Sequence, residues 1–394
     1  MEITKIYIGG WFQRTTLHLT EIWIALNERF TEIELDLEKL RKLIEDLQVK
    51  KISRHTEFLD YILVETETVN YRIYEDGLIV LEKKDVSLRI ADTLEIIKHY
   101  YDERLSPFIS YLFSRGAPVP KELADIKTIL PYVIVTKGTE GEAKRLFEEL
   151  EERISSEVSS GDIKVYRGPK IIIVNNIQDE DLAQAIVESQ IFFREFKTQL
   201  HRYLSIHRIV WERIAVIKER AFIGGGKVTD LQNQLRDYQK TINLIGTRIK
   251  QMDVYLSTRA KIASNLKLDE YLSSLFQYKY ETLANARQYI QYLWEMTENY
   301  LNSAIQVFNT LSDKISKDAF NTLRVVTSIG AIAGIFGYLS REALPTFTSQ
   351  GLVYLGILAV SIWLVNEITN RFQTRKNYKI MAEAEKEDIK KIRL

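Results

Sequence analysis

The chain has 394 residues, with 54 Lys and Arg set against 54 Asp and Glu, so its formal net charge is zero. That balance points to no particular charged partner and gives no reason to expect nucleic acid. Cysteine is absent, which excludes disulfides and thiolate metal sites.

The opening residues, Met1-Glu2-Ile3-Thr4-Lys5, lack a basic region followed by an apolar core, so no signal peptide is expected and the body is expected in the cytoplasm. Residues 1–178 read as α/β. Lys5–Gly9 predicts a first strand. Glu34–Gln48 predicts a helix, with Leu37, Leu40, Leu43, Ile44 and Leu47 on one stripe and acids near its start. Phe58–Glu65, Asn70–Tyr74 and Leu78–Leu81 read as strands, the last two joined by the turn Glu75-Asp76-Gly77. A helical stretch follows over 93–114, with a break expected at Pro107. Residues 116–120, Gly-Ala-Pro-Val-Pro, mark a boundary. Tyr132–Thr136 predicts a strand, Gly141–Ser156 a helix, and Ile163–Tyr166 and Lys170–Val174 two more strands about the turn Arg167-Gly168-Pro169. These last elements form either a second α/β lobe or the rest of the same sheet.

From Asp179 to 319 the chain reads as a long helical stalk. It has no proline there, and its glycines are confined to 224–226 and 246. Positions 283, 286, 290, 293, 300, 304, 307 and 311, with Thr297 between, follow steps of three and four and predict a coiled-coil-like seam; Ile305 and Phe308 add a second stripe. Residues 320–370 hold two apolar segments, Val325–Leu339 and Gly351–Val365, separated by a short polar loop. A spanning helix needs about 20 apolar residues, about 17 at the least, so each segment must recruit flanking residues such as Leu323 and Ile368. The pairing still predicts two transmembrane helices. A tail, 371–394, carries Arg371, Arg375, Lys376 and Lys379, and the Lys/Arg excess predicts a cell-membrane protein with both termini on the cytoplasmic side.

Motifs for catalysis are wanting. Gly224-Gly225-Gly226-Lys227 is followed by Val228 where a phosphate loop requires Ser or Thr, and it reads as a linker between helices. Ile8-Gly9-Gly10-Trp11 is too short for a dinucleotide fingerprint. His18, His55, His99, His201 and His207 include no pair at the spacing of a helical zinc site. No nucleophile motif or paired catalytic acid emerges, so no enzyme is expected. Gly330 and Gly334 form a small-xxx-small pattern that lets helices pack closely, either within one chain or between copies. In the second case Thr327 and Ser328 would offer hydroxyls to a lumen.

The layout resembles the CorA family of magnesium channels. Ala331-Ile332-Ala333-Gly334-Ile335-Phe336-Gly337 is similar to the end of that family's first span, and Ser312-Asp313-Lys314, Asn321–Thr327 and Leu344-Pro345 are similar to its surroundings. The resemblance implies an α/β cytoplasmic domain, long coiled-coil-like helices and two C-terminal transmembrane helices, assembled as a homopentamer. It implies a path lined by the first span, with Asn321, Thr327, Ser328 and Ala331 as pore-lining candidates. The transported or regulatory ion would be Mg2+ or another divalent cation, and no further cofactor is implied. The signature position reads Gly337-Tyr338-Leu339, where the family has Gly-Met-Asn; the acceptor for a hydrated cation is missing, leaving Glu342 as the acid of the outer loop. That loss favours a second reading, a membrane-tethered ligand sensor or effector on the same scaffold without magnesium selectivity.

Overall fold

The computed structural model describes residues 2–339, apart from 12–17, 31–34, 57, 85, 87–88, 117–130 and 221, and a scatter of positions from 353 to 379. The chain forms two compact units. The first comprises Met1–Ser205 and Leu244–Leu293, the second Ile206–Asn243 and Trp294–Leu394.

In the first unit the strands are β1 (Glu2–Trp11), β2 (Val49–His55), β3 (Tyr61–Thr66), β4 (Asn70–Tyr74), β5 (Leu78–Lys83), β6 (Tyr132–Lys137), β7 (Ser156–Ser160), β8 (Ile163–Arg167) and β9 (Ile171–Asn175). They make one nine-stranded sheet in the order β2-β3-β4-β5-β1-β6-β9-β8-β7, so the C-terminal strand group continues the same sheet. Every pairing is antiparallel except β6 with β9. The period-two alternation of strands divides the sheet into two faces. Ile6, Ile8, Ile62, Val64, Tyr71, Ile73, Ile79 and Leu81 point into a core shared with α1 (Leu19–Glu28), α2 (Leu37–Asp46), α3 (Ile90–Tyr100), α4 (Ser106–Gly116) and α5 (Glu140–Glu149). Asp36 caps α2, accepting from the Glu38 and Lys39 amides, and Thr139 with Glu142 forms a capping box on α5.

The other face meets α6 (Glu180–Lys218) and α7 (Val228–Asn265) through their residues in this unit. Trp11 stacks on Phe196, meets Phe192 edge-on, and donates from Nε1 to the Asp76 carbonyl at 2.7 Å. Gly9 is required here: a Cβ would stand 2.6 Å from the Ile79 carbonyl oxygen, and the Gly9 carbonyl accepts from Arg194 at 2.8 Å. A short helix, α8 (Asp269–Phe276), leads into α9 (Tyr280–Leu339).

Several expectations shift. A helix over 19–28 and strands over 49–55 and 156–160 join those predicted. Pro107 does not end the helical run, but the run is irregular just before it: a π-helical turn over Tyr101–Leu105 separates α3 from α4 and accommodates the missing N–H of Pro107. The long helical region also breaks where no glycine or proline marks it, at Lys267 (φ 54°) and Gln277 (φ 56°).

The second unit takes residues from α6, α7 and α9. In this unit the seam of α9 runs Trp294, Thr297, Leu301, Ala304, Phe308 and Leu311, all buried. Trp294, Leu301 and Phe308 therefore replace the expected 293, 300 and 307. Tyr300 instead stacks on Trp211 at 4.6 Å, with the Lys218 ammonium 4.3 Å from its ring. Phe222–Gly224 is not a bare linker: as β10 it pairs with β11 (Asn377–Lys379), and Lys376 bridges to Asp318 at 2.7 Å.

The expected pair of C-terminal transmembrane helices is overturned. Among the described residues no helix is long and apolar enough to cross a membrane. Val325–Leu339 forms the end of α9. That run falls short of the roughly 17-residue minimum, and Lys317, Asp318 and Arg324 occupy the flank it would have to recruit. The second segment, 351–365, and the loop 340–350 lie largely outside the described residues. The fold class is accordingly an α/β unit combined with long helices.

Candidate ligand cleft in the α/β unit

The described residues among those singled out from the sequence lie along one helix, α9. Asn321, Thr327, Ser328, Gly330, Ala331 and Gly334 lie exposed along α9, and Thr327 donates to the Leu323 carbonyl of its own helix. A Cβ built on Gly330 or Gly334 meets open space. Gly337, Tyr338 and Leu339 end α9, and Glu342 lies outside the described residues. Among the described residues no group of three His, Cys, Asp or Glu side chains could hold a metal ion.

A different place in the molecule gathers the chemistry. A cavity of about 580 Å³ opens in the first unit between β3, β4, the start of α6 and the end of α7. Its floor follows from strand alternation. Tyr71 and Ile73 of β4 turn into the core, so Arg72 and Tyr74 turn the other way, toward α6 and α7. Glu82 lies on that face of β5, paired in register with Tyr7 of β1.

The charged groups on this face are buried. Arg72 donates to Glu82 Oε2 at 2.8 Å and stands 3.9 Å from Glu188 of α6. Arg259 of α7 forms a two-pronged pair with Asp76, Nε to Oδ2 at 2.6 Å and the second nitrogen to Oδ1 at 3.2 Å. Its guanidinium lies over the rings of Tyr74, at 4.7 Å, and Phe192, at 5.4 Å. Asp76 also accepts from the Leu78 amide, so the turn after β4 aims its carboxylate.

Three carboxylates, Asp76, Glu82 and Glu188, thus stand against two guanidiniums. Glu188, only 7% exposed, is the one with no guanidinium at hydrogen-bonding distance; Gln184 donates to it at 3.0 Å. Burial raises its carboxyl above the usual range, and Arg72, Tyr74, Arg259 and Gln184 only partly oppose that. Burial likewise pushes the Tyr74 and Tyr7 hydroxyls up, with Glu188 adding to the effect on both and Glu82 to that on Tyr7. With Glu188 ionised, this end of the cleft holds one more carboxylate than guanidinium.

The mouth is set by the start of α6. Asp179 caps the helix, Oδ1 accepting from the Asp181 and Leu182 amides. Glu180 is taken by Lys5 at 2.9 Å, while Asp181 is exposed and lines the cavity without an ion pair among the described residues. Leu59, Leu182, Ala185, Ile262 and Leu266 supply an apolar wall. No sequence motif marks this site, because its members are scattered over β3, β4, α6 and α7. The available signal was an arginine and an acid inside otherwise buried patterns, Arg72 between Tyr71 and Ile73 and Glu188 beside Val187.

Comparison with protein-family models, with characterised proteins and with solved structures finds no match to this chain. The resemblance to the CorA family rests on the residues quoted for it above.

Proposed function

We propose that this protein is a ligand sensor, with the first unit binding a small polar molecule in the cleft floored by Arg72, Glu188 and Arg259. The buried ionic network carries this reading. Taking charged groups out of water costs several kcal/mol per ion, and apolar side chains of similar volume often stabilise a fold as well or better. A network of this kind beside a cavity is the pattern of a recognition site, where fixed charges orient a ligand and apolar walls bury it. The cavity is of the size that small molecules occupy. Helices α6 and α7, which line the cleft, also supply residues to the second unit, so a bound ligand has a covalent route to the rest of the chain.

The test is a thermal-shift screen of small metabolites against the full chain and Ala185→Trp, which places an indole in the cleft. Compounds that raise the melting temperature of the wild type and not of Ala185→Trp support the reading. Absence of any such compound refutes it.

A second observation concerns the effector end. Phe320, Leu323, Val325, Ile332 and Ile335 of α9 are exposed large apolar side chains. Exposed apolar side chains in this number along one helix mark an interaction surface. We propose that other copies of this chain cover it, with Gly330 and Gly334, which share the stripe of Leu323, allowing close approach on that side. The buried network and cavity of the first unit support the sensor reading over divalent-cation transport.

A further inference from the structure

The cleft's charges also say what kind of molecule it takes. Asp181, Gln184, Ala185 and Glu188 share one face of α6, at the three- and four-residue spacing that aligns side chains, and all four line the cavity. The two acids are seven residues apart, about 10 Å along the helix. Between them the cleft is walled by Leu182, Ala185, Ile262 and Leu266. Glu188, buried and short of a close cation, marks one end. Asp181, exposed and unbridged among the described residues, marks the other, with the ring of Phe58 exposed nearby in the lining. The two guanidiniums offer little to an anion, because Glu82 and Asp76 already occupy them.

We propose that the cleft binds a linear aliphatic diamine of polyamine length, one ammonium on Glu188, the other on Asp181, and the methylene chain along the apolar wall. This rests on the ligand-sensor reading and names its ligand class. A buried carboxylate gains most from a cation delivered at hydrogen-bonding distance, and a charge-assisted contact is about twice as strong as a neutral one. The second ammonium adds a weaker, more exposed contact and sets the length.

The experiment is titration calorimetry of the full chain with 1,8-diaminooctane, octylamine and suberate. The diamine should bind, octylamine should bind more weakly, and suberate should not bind. Glu188→Gln should weaken the diamine about tenfold or more, the loss expected when a hydrogen bond to a charged group is removed. Asp181→Asn, at an exposed position where folding is not at stake, should reduce the diamine to the affinity of octylamine and leave octylamine unchanged. Equal binding of the diamine and octylamine, indifferent to Asp181→Asn, overturns the two-ended site. Binding of suberate without either amine overturns the cationic ligand while leaving the sensor reading intact. No binding of any of the three also overturns the diamine; if the metabolite screen is blank as well, the sensor reading fails with it.

Discussion

Arg259 on α7 and Asp76 in the turn after β4 form a two-pronged ion pair, with side chains 6% and 0% exposed. Both charges are out of water, so each depends on the other. Removing one partner of a buried pair costs about 3–5 kcal/mol, because the remaining charge is left unpaired. Arg259→Met and Asp76→Asn should each lower the unfolding free energy of the full chain by that order in urea denaturation. The double variant Arg259→Met/Asp76→Asn should recover much of the loss. A double variant as damaged as the sum of the singles would mean that Arg259 acts mainly through its packing on Tyr74 and Phe192.

Glu188 makes stability depend on pH with a definite sign. Its folded carboxyl is raised above the unfolded value, so the folded state holds its proton more tightly. The stabilisation is complete below the ordinary carboxylate range and is lost as pH rises through the raised folded value. Glu188→Gln keeps the shape and cannot ionise. Its melting temperature should therefore gain on the wild type as pH rises from 4 toward neutrality, and equal slopes for the two proteins would contradict the assignment.

The close approach at Gly9 predicts a steric effect. A Cβ there would lie 2.6 Å from the Ile79 carbonyl oxygen, a backbone atom that cannot rotate away. Gly9→Ala should destabilise by about 1–3 kcal/mol, the usual range for overpacking. Gly246→Ala, where a Cβ meets open space inside a helix, should be neutral or stabilising by up to about 1 kcal/mol. Chemical denaturation of the two variants checks the contrast.

The register of the α9 seam is testable in the same way. Phe308 is fully buried and Val307 is not. Phe308→Ala should cost about 3–5 kcal/mol, and Val307→Ala much less. The reverse order would restore the register expected from spacing alone.

How much of this was legible follows from which signals are local. The strands over 70–74, 132–137 and 163–167 are short β-branched or aromatic runs between turn residues, and their placement needed no tertiary knowledge. The breaks at Lys267 and Gln277 were hidden because residues without the usual turn chemistry adopt left-handed backbone there. The seam was misplaced by one position in its middle because Leu293, Tyr300 and Val307 are as apolar as Trp294, Leu301 and Phe308; only packing decides which triple turns inward. The cleft was the least legible part. Arg72, Asp76, Glu188 and Arg259 belong to separate elements, and no short motif links them. The apolar C-terminal segments resemble spans by composition, whereas the charges at 317, 318 and 324 limit the length of the first.

Hydrogen–deuterium exchange of the full chain, with and without the compound that gives the largest thermal shift, tests the sensor account most directly. Bound ligand should slow exchange in peptides covering residues 58–61, 72–76, 181–188 and 259–268, and Ala185→Trp should abolish the protection. Protection confined to other segments, or unchanged in Ala185→Trp, would contradict the assignment of the cleft as the binding site.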